Sequence, residues 1–269
     1  LSIQIIAALV AIRCGIIFTA VSNPNFMSDI GTISVGSLAI PLTVLWIVGC
    51  TNAVNLIDGL DGLAVGVSAI SSLTMMVVSI FVADPNTTFI LAAVCGACVG
   101  FMPYNLNPAK IFMGDVGSQF LGFVLACVSI MGLFKLHTVI TFLVPVLAMA
   151  IPLADTVFAF CRRILHGQSP FHADKGHFHH RLLAMGLNQK QAVAVLYGVS
   201  AVMGLVAVLL TGKDTLQRII CVVAAFVISL VVWLYVFWKG PKHKGAEHAS
   251  SGAPETPQAA QDGKAADKT

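Results

Sequence analysis

The chain has 269 residues, 57% of them hydrophobic and only 10% charged, with a mean hydropathy of +0.90 and a formal net charge of +3. Soluble domains carry about a quarter of their residues charged. This balance excludes a soluble globular enzyme, a disordered chain and a nucleic-acid binder, and it points to an all-α, polytopic integral membrane protein.

A helix needs about 20 apolar residues to cross a hydrocarbon core of roughly 30 Å. Eight candidate spans follow in chain order: 2–20, 34–50, 63–82, 89–103, 116–133, 138–160, 192–210 and 218–238. Gly and Pro inside them are tolerated by membrane helices. Placing the segment after Trp238 in the cytoplasm puts loops 51–62, 104–115 and 161–191 on that same side. That side gathers Lys110, Arg162, Arg163, Lys175, Arg181, Lys190, Lys239, Lys242 and Lys244, against Lys135, Lys213 and Arg218 opposite. The bias is the one cytoplasmic loops show. Residues 1–240 are expected to form a membrane-embedded domain, and 241–269, which lack aromatic residues, a disordered cytoplasmic tail. Arg13, inside the first span, is expected to snorkel. The C-x-x-C of Cys95 and Cys98 lies in a run of small residues and reads as helix packing, not metal chemistry.

Three polar clusters interrupt the apolar body, all on the cytoplasmic side of this topology. In the first, Asn52, Asn55, Asp58 and Asp61 recur every third residue, with Gly59 following Asp58 and Gly62 following Asp61. Positions three apart share a helix surface. A bland alternative is that Asp61 caps the helix starting near Leu63. The second cluster carries Asn105, Asn107, Lys110 and a Gly-Asp115-Val-Gly-Ser118 run. A carboxylate between glycines suits Mg²⁺, which takes one or two carboxylates plus substrate phosphates; a helix N-cap suits it equally. The third, 162–181, holds five of the eight histidines among Arg, Lys and Gly, a composition suited to an anion. Asp155 lies in the preceding span, where an ionisable residue is a functional candidate by default. Carboxylates with a divalent cation, and basic groups for phosphates, imply a membrane enzyme or carrier handling a phosphorylated ligand.

At these residues the sequence resembles the polyprenyl-phosphate N-acetylhexosamine-1-phosphate transferase superfamily, glycosyltransferase family 4. Asn52–Leu63 matches its central acidic motif, Pro108–Ser118 the next, and Asp174–Leu183 its His loop. The last resembles the branch using UDP-N-acetylglucosamine. The resemblance spans about residues 1–240. It implies that a polyprenyl phosphate, undecaprenyl phosphate in bacteria, attacks the β-phosphate of the UDP-sugar. The products would be lipid-diphosphate-N-acetylglucosamine and UMP, initiating cell-wall or surface glycan synthesis. It implies Mg²⁺, with Mn²⁺ as the alternative. Asp115 would be the principal metal ligand and Asn55 a second oxygen, with Asp58, Asp61 and Asp115 catalytic. Asn52, Asn55, Lys110, Asp155, Arg162, Arg163, His177, His179 and His180 would bind substrate. The implied location is the bacterial plasma membrane with a cytoplasmic active site, and a homodimer is a further expected partner state.

One departure stands out. The family carries an adjacent Asp-Asp pair upstream of the region matching Leu1, and this sequence contains no Asp-Asp. Family members of this branch generally have eleven spans. The expectation is therefore an N-terminally truncated fragment that keeps much of the nucleotide-sugar and metal site but lacks activity as it stands. Three alternatives are weighed: UDP-MurNAc-pentapeptide or another UDP-N-acetylhexosamine as donor, a non-catalytic nucleotide-sugar-binding relative, and a transporter with acids near the bilayer midplane.

Overall fold

The computed structural model describes residues 1–18, 20–22, 32–81, 84–133, 139–165 and 178–211, together with 220, 223, 224 and 227. The helices are α1 (Ser2–Arg13), α2 (Ala39–Leu56), α3 (Leu63–Phe81), α4 (Pro85–Asn105), α5 (Gly114–Val128), α6 (Val139–Ala148), α7 (Ala150–Leu165), α8 (Phe178–Ala184) and α9 (Gln189–Leu210). A short antiparallel ribbon pairs β1 (Ala20–Ser22) with β2 (Thr32–Ser34) between α1 and α2. The fold is all-α apart from this ribbon. Five stretches are long and apolar enough to cross a membrane: Gly36–Leu56, Leu63–Phe81, Pro85–Asn105, Gly114–Gly132 and Gln189–Leu210.

The sequence of α3 explains its place at the centre. It alternates small and hydroxyl residues with Val and Leu, so other helices can approach it on several sides. It packs chiefly against α4 and α9, and also touches α6, α5 and α2. Two of its buried serines bond backbone carbonyls: Ser72 Oγ donates to Ala69 O at 2.9 Å, and Ser71 Oγ to Ala148 O at 2.6 Å. The main apolar cluster joins Ile47 and Cys50 of α2 with Met75, Leu91, Leu125 and Met149. At the α2–α5 crossing the backbones nearly touch. A Cβ on Gly122 would lie 2.7 Å from Thr51 Cα, so only glycine fits this contact. In the C-x-x-C, Cys98 is buried in an apolar cluster and Cys95 Sγ lies 3.8 Å from Ala69 O, which agrees with a packing role.

Two expectations need correction. The first candidate span, 2–20, is helical only to Arg13; Gly15 turns the chain at φ +90°, and Arg13 is exposed in the last helical turn. The sixth, 138–160, is two helices meeting at Met149, not one. Pro152 causes this: it has no N–H to give Ala148 O, and Ser71 supplies the missing donor. The edges of the expected loops are helical. Residues up to Leu56 complete α2, Tyr104 and Asn105 complete α4, and 161–165 extend α7. The eighth span (218–238) falls mostly, and the tail (241–269) wholly, outside the described residues.

Candidate active site

The C-terminal turn of α2, the turn before α3, the 106–113 loop, the start of α5 and helix α8 meet at one end of the bundle. Asn55, in the last turn of α2, donates through Nδ2 to Asp115 Oδ1 at 3.1 Å and to Ser118 Oγ at 2.8 Å. Ser118 is buried and passes its own proton to Gly114 O at 3.0 Å. The Gly122 contact brings α2 and α5 close enough for this pairing. Asp115 itself is exposed at the first turn of α5. Asn55 thus spends its NH₂ on the protein, leaving its carbonyl oxygen and one oxygen of Asp115 for a ligand.

Asp61 does not cap α3 through a neighbouring N–H. Its Oδ2 accepts from Asn107 Nδ2 at 3.0 Å and from Ala109 N–H at 3.1 Å, both in the loop before α5. Asn107 also donates to Gln189 Oε1 at 2.8 Å, reaching the start of α9. The next residue is held at both of its backbone polar groups: Gly62 N–H donates to Asn105 Oδ1 at 3.1 Å, and the Tyr197 hydroxyl of α9 donates to Gly62 O. Left-handed φ values of +82° at Gly62 and +64° at Gly114 make the turns that present Asp61 and Asp115. Neither turn would accommodate a β-branched residue.

Asp58 lies in the turn between α2 and α3, partly buried. Among the described residues its carboxylate receives no hydrogen bond. Its pKa is pushed up to about 6, first by loss of solvent, then by the charges of Asp115 and Asp61. Three carboxylates close enough to feel one another, one without a donor, form a site that a cation would complete. Among the described residues no three His, Cys, Asp or Glu side chains make a ready protein cage. Hard oxygen donors without a cage fit Mg²⁺, which keeps water and substrate phosphate as ligands.

The basic side is built on α7 and α8. Arg162 and Arg181 share one aromatic anchor, their guanidinium carbons 5.9 and 5.1 Å from the Phe158 ring centre. Phe158 also stacks on Phe178 at 5.8 Å. Asp155 is buried, and its Oδ1 accepts the Phe178 N–H at 2.8 Å. His179 is buried and His180 exposed, their rings 4.3 Å apart. Arg163 is half-buried on α7. Lys110 is exposed in the loop that holds Asp61, its N–H bound to Tyr104 O at 2.8 Å. Asn52 faces another way: its Nδ2 donates to Gln4 Oε1 at 2.9 Å, and Gln4 Nε2 reaches Gln119 Oε1 at 3.1 Å. That amide chain ties α1, α2 and α5 together. His177 lies outside the described residues.

Asn55, Asp58, Asp61 and Asp115 therefore converge, with His179 against Gly59 beside them, whereas Asn52 bonds into the helix packing. Sequence reasoning missed the residues that hold them: Asn105, Asn107, Gln189, Tyr197, Gln4 and Gln119. The two asparagines stood in the second cluster and could have been chosen. Tyr197 carries no sequence signal, because its contact spans 135 residues of chain.

Comparisons with known proteins place the chain in a family. Residues 1–133 match Glycosyl transferase family 4. The chain is 41% identical over 208 residues to a probable undecaprenyl-phosphate N-acetylglucosaminyl 1-phosphate transferase of Bacillus subtilis, covering 77% of this chain and 57% of that protein. It is 33% identical over 251 residues to a decaprenyl-phosphate N-acetylglucosaminephosphotransferase of Mycolicibacterium smegmatis, covering 86% and 61%. It is 34% identical over 209 residues to a phospho-N-acetylmuramoyl-pentapeptide-transferase of Staphylococcus aureus, covering 74% and 63%. The chain thus spans a little over half the length of these relatives.

Proposed function

We propose that this chain, which belongs to glycosyl transferase family 4, carries the nucleotide-sugar and metal site of a phosphoglycosyl transferase embedded in the bacterial plasma membrane, facing the cytoplasm. The donor is UDP-N-acetylglucosamine and the acceptor undecaprenyl phosphate. The observation that carries the reading is the Asn55–Asp115 pair beside Asp58 and Asp61, four oxygen-bearing side chains from two motifs gathered at one bundle end. Acids gathered there, and not at mid-span, favour an enzyme over a carrier.

In the reaction, an oxygen of the lipid phosphate bonds to the β-phosphorus of the donor. The bond from that phosphorus to the bridging oxygen breaks, and UMP leaves with the electron pair. Asp115 and Asn55 would hold Mg²⁺, which when bound neutralises the diphosphate charge. Asp61, tied through one oxygen to Asn107 and Ala109, offers the other to the ligand. Asp58, partly desolvated, adds the charge that draws the cation in. Arg162 and Arg163, with His180 and the loop bearing His177, orient the phosphates and sugar, and Lys110 adds a positive charge from the loop that holds Asp61. The donor has a second reading: UDP-MurNAc-pentapeptide, since the relative from Staphylococcus aureus matches at 34% identity, against 33% over a longer stretch for the one from Mycolicibacterium smegmatis.

The test is UMP release in nanodiscs by the chain joined to the Asp-Asp-bearing N-terminal segment of a related enzyme, the form in which every turnover below is read, with undecaprenyl phosphate, Mg²⁺ and each UDP-sugar in turn, against an EDTA control. UMP released from UDP-N-acetylglucosamine and abolished by EDTA is the expected result. Release from UDP-MurNAc-pentapeptide alone would move the donor, and EDTA-resistant release would sink the metal assignment.

A further inference from the structure

We infer that the two adjacent histidines of α8 divide their work: His179 seats α8 on the acidic turn and acts as a positioning residue, with Asp155 anchoring α8 from behind, while His180 alone is left to meet the ligand. This rests on the transferase reading for its kinetic consequences, but the seat itself is a matter of packing.

His179 is 3% exposed and Asp155 1% exposed, so neither offers surface to a substrate. The imidazole edge lies directly on Gly59. A methyl group added there would fall 2.5 Å from Nε2 and 2.9 Å from Cε1. Gly59 follows Asp58 in the turn that ends at Asp61. A side chain at 59 would push α8 off that turn, and an absent imidazole would leave the turn unsupported. Asp155 accepts the N–H of Phe178, the residue before His179. The Phe158–Phe178 stack and the Arg181 guanidinium over Phe158 add a second tie between α7 and α8. A continuous path therefore runs from Asp155 through Phe178 and His179 to Gly59 and Asp58. His180, exposed beside it, lies off that path.

A size exchange tests the seat. Gly59→Ala, His179→Ala and the double variant are compared with the unmodified chain by thermal unfolding in detergent and by UMP release. Gly59→Ala is expected to lower the melting temperature by several degrees and turnover by about tenfold, and adding His179→Ala should recover part of both, since contacting residues are not additive. Strictly additive losses, or a Gly59→Ala chain that melts and turns over normally, would overturn the contact. Kinetics tests the division of roles. His179→Ala should lower kcat while the KM for UDP-N-acetylglucosamine changes less than about threefold, and His180→Ala should raise that KM about tenfold. Equal KM increases in both would show that His179 binds the donor and would overturn the inference. If His179→Ala fails to fold, Asp155 decides: Asp155→Asn keeps an acceptor for Phe178 and should retain most turnover, whereas Asp155→Ala should lose it. Equal losses in the two would count against the anchor. Non-additive melting with no UMP release from any variant would refute the transferase reading and leave the seat intact.

Discussion

Asp58 and Asp84 flank α3 at its two ends, and their surroundings differ in kind. Asp84 precedes α4 and is answered by its own helix: Thr87 donates to it through N–H at 3.3 Å and through Oγ1 at 2.8 Å, while Thr88 Oγ1 bonds the Asp84 carbonyl at 2.8 Å. Every donor lies within four residues, and Pro85 opens the helix. Such an acid is a cap and needs nothing more. At the other end, Asp115 takes its donor from 60 residues away and Asp61 from 46 and 48 away, while Asp58 receives none among the described residues. An acid in a helix-capping geometry closes its own charge locally. Acids meant for a ligand are gathered from distant segments and left short of positive partners.

Substitutions at the two ends should therefore separate rate from stability. The largest effect is expected for Asp115→Asn: turnover with Mg²⁺ should fall about 10³-fold, roughly 4 kcal/mol of transition-state stabilisation, with melting little changed. A loss of folding in its place would make Asp115 a structural residue like Asp84. Gly122→Leu comes next. It should force α2 and α5 apart at Thr51 and cost about 1–3 kcal/mol of stability or more, taking Asn55 out of reach of Asp115. Undiminished turnover with lowered stability would show that the pair need not stay in register.

Asp58→Asn sharpens the comparison through pH. The folded chain holds this carboxyl at about 6, above its ordinary value. Ionisation is therefore resisted in the folded state, and stability declines as pH rises from about 4 through 6. Asparagine removes that penalty, so the variant should be more stable than the unmodified chain at pH 8, by about 1–2 kcal/mol after allowing for solvent screening. The advantage should vanish below pH 4, and turnover should be lost throughout. A variant less stable at pH 8 would mean that Asp58 is satisfied like Asp84. The smallest effect is Asp84→Ala: about 1 kcal/mol of stability, with UMP release unchanged.

Much of the site was legible because the motifs announce their own chemistry. Asn55, Asp58, Asp61 and Asp115 were nameable from residue type and spacing, and the bundle brings them to one end. What supports them was not legible, because each support is a long-range contact with no local signal: Asn107 on Asp61, Tyr197 on Gly62, His179 on Gly59. The capping alternative for Asp61 was reasonable on local rules and fails because a loop more than 40 residues away supplies the donors. The same holds for the fold. Five long spans follow from apolar length, but the break at Met149 depends on Pro152 meeting a serine in a different helix. Asn52 shows the converse: its spacing placed it with the acids, and the Gln4 and Gln119 amides drew it into helix packing.

The central claim is that one end of α3 is a cation-dependent nucleotide-sugar site and the other is only a helix cap. Calorimetric titration of UDP-N-acetylglucosamine into the purified chain, with and without Mg²⁺, tests it against Asp115→Asn and Asp84→Ala. The unmodified chain and Asp84→Ala should bind alike, within about threefold and only with Mg²⁺, and Asp115→Asn should lose at least about tenfold. Equal, Mg²⁺-independent binding by all three would contradict the account.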